Sequence, residues 1–443
     1  MIDTLAVLAG ALLLIWPALL NAYPIVFSDT HAFLVQASQP RMVWDKPWIY
    51  GPFLLALHGR TTLWLPVAAQ GLILSHVLWM LNGRATARRH LALCALLAAG
   101  SAAPWFAALL MPDIFAPITV LGLYLLCFGD SLGRWQRGWL FALTTFAIAA
   151  HLSHLPLAAG CLAMLAWFGW RRAAWTTAPL ITALALLIAT NLAGYGRFAV
   201  SPHGAVFALA RMVGDNVAGP VIARACPQAG WHLCAWSDRL PTDSDDFLWN
   251  GAGPVWTAPG GAIGLAPEAA AIIRRTINED PIGVLQAALR NMGTQLWRVQ
   301  LGDTLGPDWL DVSITGSLRA YFPPEEMSRF AVGLQAQGRL TAHAAPLNTP
   351  HALILILATA ATLIILIHPA TPKDQRGLAA LVLAALLANA FATGALSGPH
   401  DRYQARIAWL VLLPPALAVF RSAPPQIGAS RSTSAGAIRT SPS

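Results

Sequence analysis

The sequence predicts an all-α membrane protein, a polytopic bundle of about ten transmembrane helices with juxtamembrane helices and a mostly helical extracytoplasmic region. Hydrophobic residues make up 56% of the 443 positions and charged residues only 11%, whereas about a quarter of a soluble domain is charged. Basic residues lie in short clusters between long apolar segments, which is how membrane topology is encoded. Because the net charge of +8 comes from these clusters, we expect no nucleic-acid partner.

The apolar segments are judged by length, since a helix needs about 20 residues to cross a bilayer. Two long blocks, 89–129 and 138–170, are interrupted near their middles by proline, histidine or aspartate, and each is expected to form two helices. The first apolar segment lacks the basic start and the small-residue cleavage site of a signal peptide, so we expect it to remain as a helix. Single crossings are predicted at 3–22, 61–81, 178–195, 350–368, 378–396 and 405–420.

Basic residues recur in alternate connections between these segments. By the positive-inside rule, those connections and both termini are cytoplasmic, and the intervening connections lie outside. The basic positions are Arg84, Arg88 and Arg89, then Arg134 and Arg137, Arg171 and Arg172, Lys373 and Arg376, and finally Arg421, Arg431 and Arg439.

This topology divides the chain into four parts. Residues 1–197 form an N-terminal transmembrane module that carries the first outer loop, and 198–349 form the extracytoplasmic region. Residues 350–420 form the C-terminal transmembrane helices. The remainder, 421–443, is rich in Ser, Pro, Ala and Gly and is expected to be a disordered cytoplasmic tail.

Within the extracytoplasmic region, Asp280 before Pro281 predicts a helix start. The apolar residues that follow recur at spacings of four and three and form one stripe, suited to packing on other helices or on the membrane surface. Cys226 and Cys234 share this region and are candidates for a disulfide outside the cytoplasm. The stripe consists of Leu285, Leu289, Met292, Leu296 and Val299.

Two carboxylates follow apolar segments at the outer boundary, Asp29 after the first and Asp113 after the third. If they converge, they could activate an acceptor hydroxyl as a general base or hold a divalent cation such as Mg or Mn. Each could equally be a helix N-cap, since Ser28-Asp-Thr precedes a helical run and Asp113 follows Met-Pro. Spacing alone leaves both interpretations open.

Further polar residues lie on the same predicted side. His151 and His154 are three apart and form either a partial metal site or a polar helix break facing a water-filled pocket. Arg402 and Arg406 are four apart at the start of the last helix, where helix amides and two guanidiniums suit a phosphate or diphosphate. The alternative is an Asp401–Arg402 pair with snorkelling arginines at the interface.

With this topology and these residues, the chain resembles the GT-C superfamily of integral membrane glycosyltransferases, close to uncharacterised bacterial members. Asp29 in Phe-Ser-Asp-Thr-His is similar to the family's first-loop acid, which acts as base or metal contact, and Asp113 in Met-Pro-Asp-Ile-Phe is similar to the second-loop acid. Arg402 and Tyr403 resemble late outer residues that hold the lipid-linked phosphate. The chain departs from better-known members in its single first-loop acid and in lacking Asp-x-Asp in the second loop.

The resemblance implies that a sugar moves from a polyprenyl-phosphate-linked donor to an envelope lipid, glycan or protein acceptor. The reaction would occur at the periplasmic face of a bacterial inner membrane, with the bilayer and the lipid-linked sugar as partners. Asp29 and Asp113 are then the catalytic candidates and the ligands of any metal. The substrate-binding candidates are Arg402, Tyr403, Arg406, His151, His154 and His31.

Other classes of function remain open. A lipid or glycan transporter, a noncatalytic envelope-assembly protein, and an O-antigen polymerase or ligase are the alternatives. The sequence has no Walker A, GxSxG or HExxH motif, so ATP-driven transport and serine or zinc hydrolysis have no support. The glycosyltransferase interpretation predicts that Asp29, Asp113 and Arg402 converge within about 10 Å on one outer cavity open to lipid.

Overall fold

A computed structural model describes residues 2–83 and 86–422 of the chain, with side chains up to residue 420. Over these residues the protein is all-helical and contains no β-strand, which confirms the predicted fold class at this level. The predicted tail beyond Ser422 and the basic residues Arg84, Arg431 and Arg439 lie outside the described residues.

The helices follow one another with short connections. The N-terminal part contains α1 (Ile2–Leu14), α2 (Trp16–Asn21), α3 (Thr30–Ser38), α4 (Tyr50–His58), α5 (Trp64–Leu81), α6 (Ala87–Gly100), α7 (Ala103–Ala108), α8 (Phe115–Phe128), α9 (Arg134–Ala149), α10 (His154–Thr176) and α11 (Ala178–Tyr195). The middle part contains α12 (Ala205–Gly214), α13 (Gly219–Ala225), α14 (Ser244–Trp249), α15 (Pro254–Thr257), α16 (Gly261–Glu279), α17 (Pro281–Trp297), α18 (Ile314–Tyr321), α19 (Pro324–Ala331) and α20 (Leu340–Ala344). The C-terminal part contains α21 (Asn348–Ile367), α22 (Lys373–Ala390), a π-helical turn (Phe391–Ala395), α23 (Asp401–Ala408) and α24 (Leu413–Ser422). Short 3₁₀ turns lie at Pro112–Ile114, His232–Trp236, Ala345–Leu347 and Trp409–Leu412.

Five helices or helix runs in the described part are long and apolar enough to cross a membrane, which indicates a membrane protein. A sixth span would be the pair α12 and α13, bent by 100° at its break. Several other predicted crossings consist of helices shorter than a span: α1 has 13 residues and α6 and α8 have 14 each. The ten-crossing topology and its orientation therefore stay a prediction. The five spans are Trp64–Leu81, Ala178–Tyr195, Leu340–Ile367, Lys373–Ala395 and Asp401–Phe420.

The side of α21 that points away from the bundle carries large apolar side chains that no other part of the described chain covers. Leu357 is 71% exposed and Ile367 76%. Contiguous exposed apolar surface of this kind is typical of a helix that faces lipid. The pattern agrees with the assignment of this helix as a span.

The centre of the bundle is α8, which is buried on every side along most of its length. Its sequence is apolar all round, and such a helix belongs in the interior. Gly122 permits the close approach of α9, because a Cβ there would lie 2.1 Å from Oγ1 of Thr144. The 3₁₀ turn that carries Asp113 leads directly into this helix, so the core fixes the position of that carboxylate.

The middle part of the chain has its own small core, formed by α12, α14 and α16 around Phe247 and Leu265. Cys226 and Cys234 are joined in a disulfide, with their Cα atoms 5.3 Å apart. Asp280 caps α17 through a hydrogen bond of 2.8 Å from the Gly283 amide, as the sequence predicts.

The buried side of α17 is not its apolar stripe. Leu285 and Leu289 are 57% and 55% exposed, whereas Asn291 and Gln295 are buried. The Gln295 amide donates to the carbonyl of His400, just before α23. The helix thus packs through polar contacts on the segment that leads into α23, and of the two interpretations of the stripe, exposure of Leu285 and Leu289 favours the membrane surface.

The loop between α2 and α3 is held by residues from far along the chain. Gln335 accepts a hydrogen bond from the Val26 amide and donates to the Val26 carbonyl, at 3.0 and 2.7 Å. The buried carboxylate of Glu326 accepts hydrogen bonds from the Tyr23 hydroxyl and the Leu63 amide, both at 2.8 Å. These contacts hold the loop backbone just ahead of Asp29 in one conformation.

Candidate functional site

Asp29 lies in the turn that precedes α3, at the N-cap position, but its side chain makes no capping hydrogen bond. Its carboxylate instead lies 3.3 Å from Nζ of Lys46 and 4.0 Å from Nη1 of Arg402. Thr30 fixes the turn, because its hydroxyl accepts from the Phe27 amide and donates to a carbonyl beside α7. The interpretation of Asp29 as a simple cap is therefore wrong, since its charge is directed towards basic groups.

Asp113 is almost completely buried, with 1% of its side chain exposed. Its Oδ1 atom lies 3.3 Å from Nη1 of Arg406 and 3.7 Å from Nε of Arg402. No side-chain cap hydrogen bond forms here either. Arg402 thus lies between the two carboxylates and contacts both.

Both arginines lie on one face of α23, since they are four residues apart. Arg402 also lies over the rings of Phe27 and Tyr403, at 4.7 and 4.8 Å from the ring centres, and donates to the Tyr403 hydroxyl. Arg406 is fully buried and donates to Asn389 at 3.0 Å. The guanidiniums are held by rings and carboxylates, which leaves them little rotational freedom.

The backbone amides at the start of α23 are not free, contrary to the expectation from the sequence. The Arg402 amide donates to the carboxylate of Asp303 at 3.0 Å. Asp401 in turn accepts from the Gln300 amide and pairs with Arg298 at 3.5 Å. A carboxylate already occupies the amide position at which a phosphate was expected, so any phosphate contact would depend on the side chains.

The two histidine rings lie 5.4 Å apart but make different hydrogen bonds. His151 bonds the Ser153 hydroxyl at 2.8 Å, and that hydroxyl accepts from Arg406 at 2.9 Å. His154 is buried and bonds the Ala147 carbonyl. His151 therefore joins the site through Ser153. In the described part of the chain, no group of three or more His, Cys, Asp and Glu residues is arranged to hold a metal, so the histidine pair lacks a third ligand.

His31 points elsewhere. Its Nδ1 atom lies 2.6 Å from the hydroxyl of Ser317, on α18. Burial lowers the pKa of His31, against a smaller opposing contact with the Ser313 backbone. The structure thus assigns His31 to the contact between α3 and α18 and does not bring it to the two carboxylates.

Sequence reasoning missed Lys46, which is central to the site. Its side chain is 8% exposed and its ammonium pairs with both Asp29 and Asp45. Burial lowers the pKa of Lys46, but the two carboxylates outweigh that effect and raise it above its ordinary value. Burial raises the pKa of Asp29, but Lys46 and Arg402 outweigh it and hold that pKa below the ordinary 3.8. Both groups are therefore charged at neutral pH.

These side chains form a compact set, named here the charge cluster, of three carboxylates and three basic groups. Its formal charges cancel, which is how buried ions are tolerated. The only sequence signal for the missing members was the Trp44-Asp-Lys run after the first outer loop. The charge cluster consists of Asp29, Asp45, Lys46, Asp113, Arg402 and Arg406.

The charge cluster does not fit a divalent cation. Mg²⁺ and Mn²⁺ need several oxygen ligands on one ion, but Oδ2 of Asp29 and Oδ1 of Asp113 already face an ammonium and two guanidiniums. A metal would have to displace Arg402 from between them. The basic side chains supply the positive charge that a metal would otherwise bring.

A small recess lies beside Arg402. It is lined by Arg402, Trp105, Leu301 and Asp303 among others. Trp105 and Leu301 also line a larger apolar groove, bounded by residues of α1, α6 and α21 such as Ile354. The groove and the recess thus share two side chains as a common wall.

The fold and this site define a class, a multi-helix membrane protein with a largely buried cluster of three acidic and three basic side chains. Comparison of the chain with models of protein families, with curated proteins and with solved structures gives no match. The function therefore has to be argued from the site.

Proposed function

We propose that the protein is a membrane glycosyltransferase that moves a sugar from a polyprenyl-phosphate-linked donor to an acceptor at the outer face of the membrane. The observation that carries the proposal is the position of Arg402, whose guanidinium lies within 4.0 Å of both Asp29 and Asp113. Acid and base are thus held together close to an apolar groove, which shares Trp105 and Leu301 with the small recess at Arg402.

Asp29 is the group for the acceptor. Its side chain is 29% exposed, whereas those of Asp45 and Asp113 are 6% and 1% exposed. Asp29 is therefore the most accessible carboxylate of the charge cluster. Because its pKa is lowered, it is a weak base, so we assign it to orienting the acceptor hydroxyl and to stabilising positive charge at the anomeric carbon. Transfer of a sugar passes through an oxocarbenium-like state, in which such a negative charge is favourable.

Arg402 is the group for the donor phosphate. Its Nη1 atom is buried and has no hydrogen-bond partner in the described residues, so it has a donor to offer. The bond from the anomeric carbon to the phosphate oxygen would break with both electrons passing to the phosphate. Arg402 would stabilise that charge as it develops, while the acceptor oxygen bonds to the anomeric carbon and its proton passes to solvent.

Asp113 has a different role from the one its sequence position suggests. Both arginines contact its Oδ1 atom and the side chain is only 1% exposed, so its burial keeps an acceptor hydroxyl away from it. We assign it as a positioning residue that holds Arg402 and Arg406. Removal of Asp113 should therefore weaken donor binding, whereas removal of Asp29 should lower the rate of transfer.

The test compares envelope glycolipids, by mass spectrometry, in a strain that lacks the gene and is complemented with variants. Wild type should restore a glycosylated species and Asp29→Asn should not. Asp130→Asn is the matched control, because that side chain is 73% exposed and pairs only with Arg172 among the described residues. Equal restoration by wild type and Asp29→Asn would remove Asp29 from the mechanism and refute the proposal.

An O-antigen polymerase or ligase is the second candidate, and the chain of contacts from Arg406 through Ser153 to His151 favours it. Purified protein and a defined lipid-linked donor separate the candidates. Transfer of one sugar from a monophosphate donor supports the first proposal, and transfer of an oligosaccharide from a diphosphate donor, lost in His151→Ala, supports the second. Movement of lipid across vesicles without either transfer would indicate a transporter.

A further inference from the structure

Beside Asp29 the middle part of the chain presents a group of aromatic rings. Trp44 stacks on Phe207, with ring centres 5.1 Å apart, and lies 6.0 Å from Trp249. Trp249 is the last residue of α14 and is 45% exposed, although its neighbours Phe247 and Leu248 are buried. The rings of Trp44 and Phe207 thus support the ring of Trp249, which remains partly accessible.

Trp249 is close to the charge cluster. The Lys46 ammonium lies 5.9 Å from the centre of the Trp249 ring and 3.3 Å from the Asp29 carboxylate. Together these two distances place the ring centre within about 9 Å of Asp29. A tryptophan that only anchored the chain to the bilayer would have no reason to lie beside the buried ammonium of Lys46.

Asp245 lies four residues before Trp249 on α14, and positions four apart share a helix face. Its side chain is 52% exposed and lies 3.4 Å from Nε2 of His400, the residue that precedes α23. The hydrogen bond from His400 lowers the pKa of Asp245 and outweighs the opposite effect of its burial. An ionised hydrogen-bond acceptor therefore accompanies the ring.

The charges around the ring select the kind of ligand. Lys46 and Arg402 are already paired with carboxylates of the charge cluster, and Asp245 adds a negative charge that acts on Asp29, so an anionic ligand finds no unpaired cation here among the described residues. A neutral molecule with an apolar flat face and many hydroxyls fits better. Its C–H groups suit the negative face of an aromatic ring, and its hydroxyls can donate to the carboxylates.

We propose that Trp249 and Asp245 form the binding subsite for a pyranose ring of the acceptor, so that the acceptor of this protein is a glycan. This rests on the proposed function in one respect only, because it places a sugar hydroxyl beside Asp29. The contacts of Trp249 with Trp44 and Phe207 make this surface rigid, and Asp245 fixes which hydroxyl faces Asp29.

The test measures binding without turnover. Full-length protein in lipid nanodiscs is titrated with methyl hexopyranosides and their disaccharides, and binding is followed by saturation-transfer difference NMR. Wild type should bind at least one of these glycosides. Trp249→Ala should weaken that binding about tenfold or more, as removal of a tryptophan anchor does at a binding site, and Trp249→Phe should retain part of it.

Two controls keep the result specific. Trp139→Ala removes a tryptophan of similar exposure, 42%, on α9 and should bind like wild type. Asp29→Asn should bind glycosides but lose transfer. If no glycoside binds wild type, or if Trp249→Ala and Trp139→Ala bind equally, the subsite is refuted. Loss of binding in Trp249→Ala together with full transfer in Asp29→Asn would instead refute the proposed mechanism and leave the subsite intact.

Discussion

Replacement of Arg406 by methionine removes one guanidinium from the charge cluster and leaves Asp113 with a single basic partner. The separation of 3.3 Å between Arg406 and Asp113 corresponds to an attraction of about 5 kcal/mol at an effective dielectric constant of 20. Much of that attraction offsets the desolvation of two buried ions. After the substitution Asp113 still lies 3.7 Å from Arg402, so we expect a loss of about 3 kcal/mol, at the lower end for a broken buried pair.

Asp113→Asn should be more damaging than Arg406→Met. The guanidinium of Arg406 is fully buried, and Asp113 is its only carboxylate partner among the described residues. The substitution therefore leaves an uncompensated positive charge in the interior, for which we expect a loss of about 4 to 5 kcal/mol. The double variant should lose less stability than the sum of the two single losses, because each single change leaves the charge of the other residue unpaired.

The free energy of unfolding is measured by titration with SDS in mixed micelles, followed by tryptophan fluorescence. Arg172→Met is the control, since Arg172 pairs with Asp130 at a site where both side chains are more than half exposed and such pairs contribute at most about 1 kcal/mol. Additive losses in the double variant, or single losses no larger than that of Arg172→Met, would refute the account of a coupled and buried cluster.

Three further predictions concern other contacts. Lys46→Met should raise the pKa of Asp29. The ion pair of Asp29 is fully present above its ordinary pKa of 3.8 and is lost only at lower pH, so the acidic limb of the pH profile of the transfer rate should move to higher pH in this variant. An unmoved limb would contradict this pairing. Reduction of the Cys226–Cys234 disulfide, or Cys226→Ser with Cys234→Ser, should lower the stability by about 2.5 kcal/mol, from the entropy of a loop this short, and an unchanged SDS midpoint would contradict it. Glu326→Ala should lower the free energy of unfolding by about 3 kcal/mol or more, because it leaves several buried donors unpaired. Glu325→Ala, at the exposed neighbouring position, should leave the stability unchanged. Equal losses in the two variants would show that the contacts of Glu326 are unimportant.

The sequence was sufficient for the helical fold class, because composition and apolar segments report directly on burial and on the bilayer. It also predicted the start of α17, since Asp280 and Pro281 act through local backbone geometry. Segment lengths were less reliable. The predicted crossing at 3–22 is divided between α1 and α2, where Pro17 lies in the first turn of the second helix.

The partners of the candidate residues were not predictable, because no local pattern records which distant side chains will meet. Asp303 bonds the start of α23 from 99 positions away, and Ser153 reaches Arg406 across 253. The cap interpretation of Asp29 was locally sound and failed because Lys46 and Arg402 attract its carboxylate more strongly than an amide does. Pattern analysis identified the carboxylates and the arginines, but only the fold could show that they compensate one another.

The pairing of Asp113 with Arg406 has a consequence for how the protein is made. The two residues are 293 positions apart, and at translation rates of 5 to 20 residues per second the arginine follows the aspartate by about 15 to 60 s. Until α23 has been made, Asp113 lacks both of its basic partners, and an unpaired buried carboxylate is costly. The surroundings of Asp113 at the start of the central helix can therefore reach their final packing only after nearly the whole chain has been synthesised.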